Sequence, residues 1–152
     1  MHPDSVEMLS VLSAEGVEFI IVGAYALAAH GIPRATGDLD IWVRPTRENA
    51  ERTYAALARF GAPIEDLTPE DLVLEGTVFQ IGLPPARIDI LSGITGVTFD
   101  EAWPRRLVVE VAEGLHVPML GRDDFIRNKR AVGRPKDLSD VAWLEAEGKE
   151  DR

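Results

Sequence analysis

Cysteine is absent from this chain of 152 residues, which excludes disulfides, thiolate metal sites and cysteine nucleophiles. Any metal must be held by oxygen or imidazole, and with three histidines mainly by oxygen. Long apolar runs are also missing. No stretch approaches the roughly 18–20 residues that a membrane helix needs, and Met1-His2-Pro3-Asp4 lacks the basic and apolar regions of a signal peptide. The expectation is a cytoplasmic protein with no membrane partner. Positive charge is scarce: 16 Lys and Arg face 26 Asp and Glu, for a net charge of −10. That balance works against nonspecific binding to a nucleic-acid backbone, whose affinity comes from cations displacing counterions. The exception is local. Arg122, Arg127, Lys129, Arg130, Arg134 and Lys136 fall within one short segment, a patch suited to a small polyanion such as a nucleoside triphosphate.

What is present fits one ordinary domain, 45% hydrophobic and 28% charged. Val6, Leu9 and Leu12 at helical spacing predict a first helix over 4–15, ended by Gly16. Val17–Val22 predicts a buried strand ending at Gly23, followed at once by an alanine-rich helix over Ala24–His30. Pro33 and Gly37 break the chain before a strand over Asp38–Val43 and leave Arg34 and Thr36 in a loop beside it. Thr46 is placed to cap a helix to Phe60 that buries Tyr54, Leu57, Ala58 and Phe60, with Gly61 beyond its end. Thr68-Pro69 opens a short helix. Thr77–Ile81 and Arg87–Leu91 predict a hairpin turned by Gly82–Pro85, and Leu107–Val111 with His116–Met119 a second one. A short helix near Phe99–Trp103 lies between the hairpins. Two closing helices, Asp123–Val132 and Pro135–Glu145, flank Gly133. No repeat or linker divides the chain, so the expectation is one α/β or α+β domain over 1–146 and a charged tail over 147–152.

The chemistry concentrates in Asp38-Leu39-Asp40 and Asp89. Side chains alternate along a strand, so Asp38 and Asp40 share a face roughly 7 Å apart while Leu39 and Ile41 face the core. Asp89 is flanked in the same way by Ile88 and Ile90. If the two strands are neighbours, three carboxylates converge, and their repulsion must be relieved by protonation or by a cation. A divalent metal is the simpler relief. A glycine turn leading into a helix beside them would add backbone N–H groups for phosphate. A structural reading stands beside this one: Asp38 capping a turn, and Asp40 paired with Arg34 or Arg87.

Taken together, Gly23-Ala24, Asp38, Asp40 and Asp89 resemble the signature of the nucleotidyltransferase superfamily with the DNA polymerase β-type fold. That signature is a glycine turn, an Asp-x-Asp strand and a third acidic strand. More narrowly, Val22-Gly23-Ala24-Tyr25, His30-Gly31, Arg34, Thr36, and the closing segment with Lys129, Arg134-Pro135-Lys136-Asp137-Leu138 and Asp140 resemble small bacterial nucleotidyltransferase-like proteins related to toxin and antitoxin enzymes. The resemblance implies an α+β domain, a mixed sheet flanked by helices with helices at its C-terminal end. It implies magnesium-dependent transfer of a nucleoside monophosphate from an NTP to an acceptor hydroxyl, releasing pyrophosphate. Asp38, Asp40 and Asp89 would be catalytic and hold two magnesium ions. Gly23, Ala24, Arg34, Thr36 and Lys129 would contact the nucleotide. The acceptor, whether protein, small molecule or tRNA, stays open, as does a homodimer or a toxin–antitoxin partner. Ala24 stands where active members usually carry glycine or serine, which removes a hydroxyl from the turn. The alternative is therefore a nucleotide- or partner-binding module such as an antitoxin. His30, His116 and the tryptophans Trp42, Trp103 and Trp143 read as packing residues, with substrate contact open for His30 and base stacking for a tryptophan.

Overall fold

The computed structural model describes residues 1–32 and 37–150, with side chains to Glu147. Helix α1, Pro3–Ala14, starts with proline in its first turn and His2 accepting the Asp4 N–H. It is followed by strand β1, Phe19–Val22, and by helix α2, Gly23–Ala29. Strand β2, Leu39–Val43, leads into α3, Arg47–Phe60. The hairpin of β3, Val78–Ile81, and β4, Ile88–Leu91, comes next, then the single turn α4, Phe99–Ala102. A second hairpin, β5 Leu107–Ala112 and β6 Leu115–Met119, precedes α5, Arg122–Val132, and α6, Pro135–Glu150.

The six described strands form one mixed sheet in the order β3-β4-β2-β1-β6-β5, and helices flank it in a single α+β domain. At its centre β2 runs antiparallel to β1 and parallel to β4. A parallel pair needs a long crossover, and α3 supplies it between β2 and the second hairpin strand. One face of the sheet is apolar throughout: Ile21, Leu39, Ile41, Val43 and Ile90 are fully buried, with Phe19, Ile88 and Ile81 nearly so. Removing such side chains from water contributes on the order of 1.5–3 kcal/mol each. The pleat sends the alternate residues Ile20, Val22, Asp40, Trp42, Asp89 and Leu91 to the opposite face. Core burial therefore fixes the register, and the register commits the aspartates to the other side.

Two local expectations are corrected. On α3 the buried stripe is Asn49, Ala50, Thr53, Ala56 and Leu57, whereas Ala58 is exposed and Tyr54 and Phe60 are half-buried. At 100° per residue Ala58 falls outside the stripe. The polar residues inside it are satisfied: Asn49 donates to the carbonyls of Glu18 and Arg44 and accepts the Glu18 N–H, and Thr53 bonds the Asn49 carbonyl. At the C-terminal end α6 runs to Glu150, past the expected stop at Glu145, because an established helix gains one hydrogen bond per added residue. The short helix near Pro69 is a 3₁₀ turn, Pro69–Leu72, closed by a Thr68–Asp71 capping box. No helix among the described residues is long and apolar enough to cross a membrane.

Candidate active site

Asp40 lies on β2 directly opposite Asp89 of β4 on one side and Val22 of β1 on the other. Gln80 of β3 extends the same row beyond Asp89. The ladder thus brings together two carboxylates 49 positions apart in the chain, next to the point where β1 turns into α2. Asp38 lies one residue ahead of β2, and its charge acts on both Asp40 and Arg87. The chain there is pinned by the Leu39 N–H donating to the Arg87 carbonyl at 2.9 Å. Gly37 packs so closely on Pro85 that a methyl at position 37 would strike its backbone.

Gly23 is required twice over. Its φ of +71° is in the left-handed region, and a methyl at this position would overlap the Asp40 carboxylate. The turn is therefore the surface against which Asp40 rests. Val22, the N-cap of α2, offers no side-chain acceptor to the first turn, and Ala24 follows with no hydroxyl.

Electrostatics set Asp40 apart. Its carboxyl is pushed up to about 6, first by burial, then by the charges of Asp89 and Asp38; Arg87 opposes this, and a hydrogen bond to Asp89 adds to it. At Asp40, burial and the neighbouring carboxylates thus outweigh the charge of Arg87. Asp89, 7% exposed, is treated differently. Arg87 grips both of its oxygens, Nε donating to Oδ1 at 3.2 Å and Nη2 to Oδ2 at 3.0 Å. Among the described residues no three acids or histidines stand together as a metal-binding group. The Arg87 fork closes on Asp89 rather than on Asp40, and the other expected partner, Arg34, lies outside the described residues. The donor set still fits a hard divalent cation, since it is all oxygen, crowded with charge and already holding one cation.

Arg34 and Thr36 are outside the described residues. Lys129, on α5, donates to Asp137 of α6 at 3.3 Å and forms an ion pair with Asp140 at the same distance, and its side chain is 13% exposed. The basic segment around it is largely neutralised by its own neighbours: Arg127 by Glu101, Arg130 by Glu145, Arg134 by Asp137 and Arg122 by Asp123. His30 bonds the Leu120 carbonyl at 2.8 Å and meets Phe125 edge-on, a packing role. His116 is exposed and pairs with Glu110 across the second hairpin. Trp42 is buried edge-on against Phe99, and Phe99 stacks on Trp103. Trp143 packs near Gly31.

A cavity of about 340 Å³ opens at the far end of β2, lined by Trp42, Arg44, Ser92 and Phe99 among others. Its polar groups are mostly engaged. Arg44 is held by Glu18 and Asp100 and lies over Phe99, and the Ser92 hydroxyl bonds the Leu74 carbonyl. The acidic patch, where burial and two neighbouring carboxylates raise the Asp40 pKa, is the better candidate. Sequence reasoning gave no place to Gln80 or to the Arg87 fork. Their signal was a polar residue inside each strand pattern, Val-Phe-Gln-Ile and Arg-Ile-Asp.

No known family model matches the chain, and no curated protein matches it in sequence. Among solved structures it is similar to a Thermotoga maritima protein described as a "putative nucleotidyltransferase". The likeness has a TM-score of 0.59 and 15% identity, covering 96% of this chain and 91% of that one. At that identity the likeness establishes the architecture: the chain has the nucleotidyltransferase fold.

Proposed function

We propose that the protein is a magnesium-dependent nucleotidyltransferase that moves a nucleoside monophosphate from an NTP to an acceptor hydroxyl. The observation that carries this reading is the placement of Asp40 opposite Asp89, beside the Gly23 turn, in a protein with the nucleotidyltransferase fold. Asp40 and Asp89, with Asp38 ahead of the strand, are the residues that would hold magnesium. Bound there, magnesium would neutralise the triphosphate and acidify the acceptor hydroxyl. Gly23 admits the Asp40 carboxylate against the turn and, with Ala24, supplies backbone N–H groups to phosphate oxygens. In the transfer, the acceptor oxygen bonds to the α-phosphorus as the bond from that phosphorus to the bridging oxygen breaks. Pyrophosphate leaves, and the hydroxyl proton departs toward Asp89. Catalysis of this kind is positioning and charge neutralisation. The reading does not use Lys129, whose ammonium is engaged by Asp137 and Asp140.

A second reading is favoured by the Arg87 fork on Asp89 and by Ala24: a nucleotide- or partner-binding module without turnover, such as an antitoxin. One experiment separates them. The chain is incubated with each α-labelled NTP, magnesium and a cell lysate, and its melting is followed with and without ATP and magnesium. Label on a macromolecule or small acceptor, with pyrophosphate released, supports the transferase. Thermal stabilisation with no label transferred to any acceptor supports the binder.

A further inference from the structure

The acidic patch carries its own cation. Arg87 is two residues before Asp89 and so shares its face, and its backbone is fixed by the bond from the Leu39 N–H. Only its side chain is able to move, and that side chain is one-third exposed whereas Asp89 is 10% exposed. The fork engages both Asp89 oxygens, a geometry that a single-point cation does not reproduce. The charge of Arg87 is felt by Asp38 and Asp40 as well. The charge of Arg87 therefore acts across the patch from a side chain at the solvent boundary.

We propose that Arg87 is a displaceable counter-cation of this site: it occupies Asp89 until a divalent ion binds, and on release its guanidinium becomes a ligand for the phosphates of the incoming nucleotide. This rests on the nucleotidyltransferase reading above and adds a regulatory consequence to it. A carboxylate engaged through both oxygens by a guanidinium offers no lone pair pointing along the same directions to a metal. Chelation of an ion through that face of Asp89 and Arg87 pairing are then mutually exclusive, and metal binding there becomes the event that frees a planar, bidentate phosphate ligand. Metal and nucleotide would bind with positive coupling, because each is favoured by the state in which Arg87 has left Asp89.

The test uses the full chain and manganese(II) as the probe, its affinity read from the loss of the free-ion electron paramagnetic resonance signal, with no nucleotide and then with a non-hydrolysable ATP analogue. Arg87→Met is expected to bind manganese about tenfold more tightly than the parent chain without nucleotide, and to lose most of the manganese-dependent gain in analogue affinity. Arg87→Lys separates occupation from simple charge, since lysine keeps the charge without the fork. It is expected to show at least half of the tightening on a logarithmic scale. Unchanged or weaker manganese binding in Arg87→Met, or an Arg87→Lys chain identical to the parent, would overturn the proposal. Asp40→Asn keeps the outcomes apart: if the parent binds manganese and Asp40→Asn does not, the site reading stands whatever Arg87 does. If neither binds it, the site reading fails, and the proposal with it.

Discussion

Two clusters of aspartates in this protein have opposite electrostatics. At the sheet, Arg87 closes on Asp89, and the Asp40 carboxyl is pushed up to about 6 by burial and by the charges of Asp89 and Asp38. Between α5 and α6, Asp137 receives Arg134 and Lys129, and its carboxyl is held down at about 2. Asp140 shares the same lysine. The residue types are the same and both places are sheltered from water. What differs is the direction in which each carboxyl is shifted. Cations gripping a carboxylate make a clamp that joins two helices, whereas burial beside other carboxylates leaves a charge that a cation would relieve.

The largest expected effect breaks the comparison on the sheet side. Asp40→Asn and Asp89→Asn each remove an oxygen anion from the patch, and nucleotidyl transfer should fall at least about a hundredfold. Label-transfer rates measured with chains of matched folding check this; a loss of less than about threefold would separate these carboxylates from the chemistry.

On the clamp side, Lys129→Met should remove one cation from beside the buried Asp137 and Asp140. The expected cost is about 3 kcal/mol, a fall of roughly 6–12 °C in melting temperature. Calorimetry of the variant checks it, and an unshifted transition would mean the clamp contributes nothing to folding. Gly23→Ala sharpens the contrast at the turn. It forces a side chain into a left-handed backbone and against Asp40, at a cost on the order of 2 kcal/mol. Chemical denaturation should show that loss together with weakened manganese binding, while a distant glycine such as Gly16, whose surroundings are open, would give the loss without the binding defect.

The smallest effect is a difference in sign with pH. Asp40 titrates near 6 when folded against an ordinary 3.8. The folded state therefore holds its proton more tightly, and stability without metal declines as pH rises from about 4 through 6. Asp137 is lowered from 3.8 to about 2. Its contribution is present above about pH 4 and is lost as pH falls through 2. With metal removed by chelator, Asp40→Asn should therefore stabilise the protein at pH 7 by about 1–2 kcal/mol, allowing for the water that reaches this half-buried carboxyl. The gain should vanish near pH 4. Melting curves across pH 4–8 test this, and a difference independent of pH would refute it.

Much of the frame was legible because it is written in local periodicity. The alternation around Leu39, Ile41, Ile88 and Ile90 marked the strands that carry the aspartates. Thr46 with Gly61 bracketed α3, and the two hairpins followed from their turn residues. Ala58 misled because a single alanine carries little information about which side of a helix is buried. Lys129 stood out as a member of a basic run and of the closing segment that resembles the family, yet its acids lie on the next helix.

From its residues alone this chain determined which segments are strands and helices, that any metal site must be built from oxygen or imidazole, and that Asp38, Asp40 and Asp89 are costly to shelter without a counter-charge. Those properties depend on neighbours within a few positions. Only the tertiary structure decided that β2 lies between β1 and β4, so that Asp40 faces Asp89 beside Gly23. It also decided that Arg87 closes on Asp89 while Lys129 is consumed by the clamp. Strand order and ion pairing are settled by the burial and charge of the whole assembled sheet, and no local pattern encodes them.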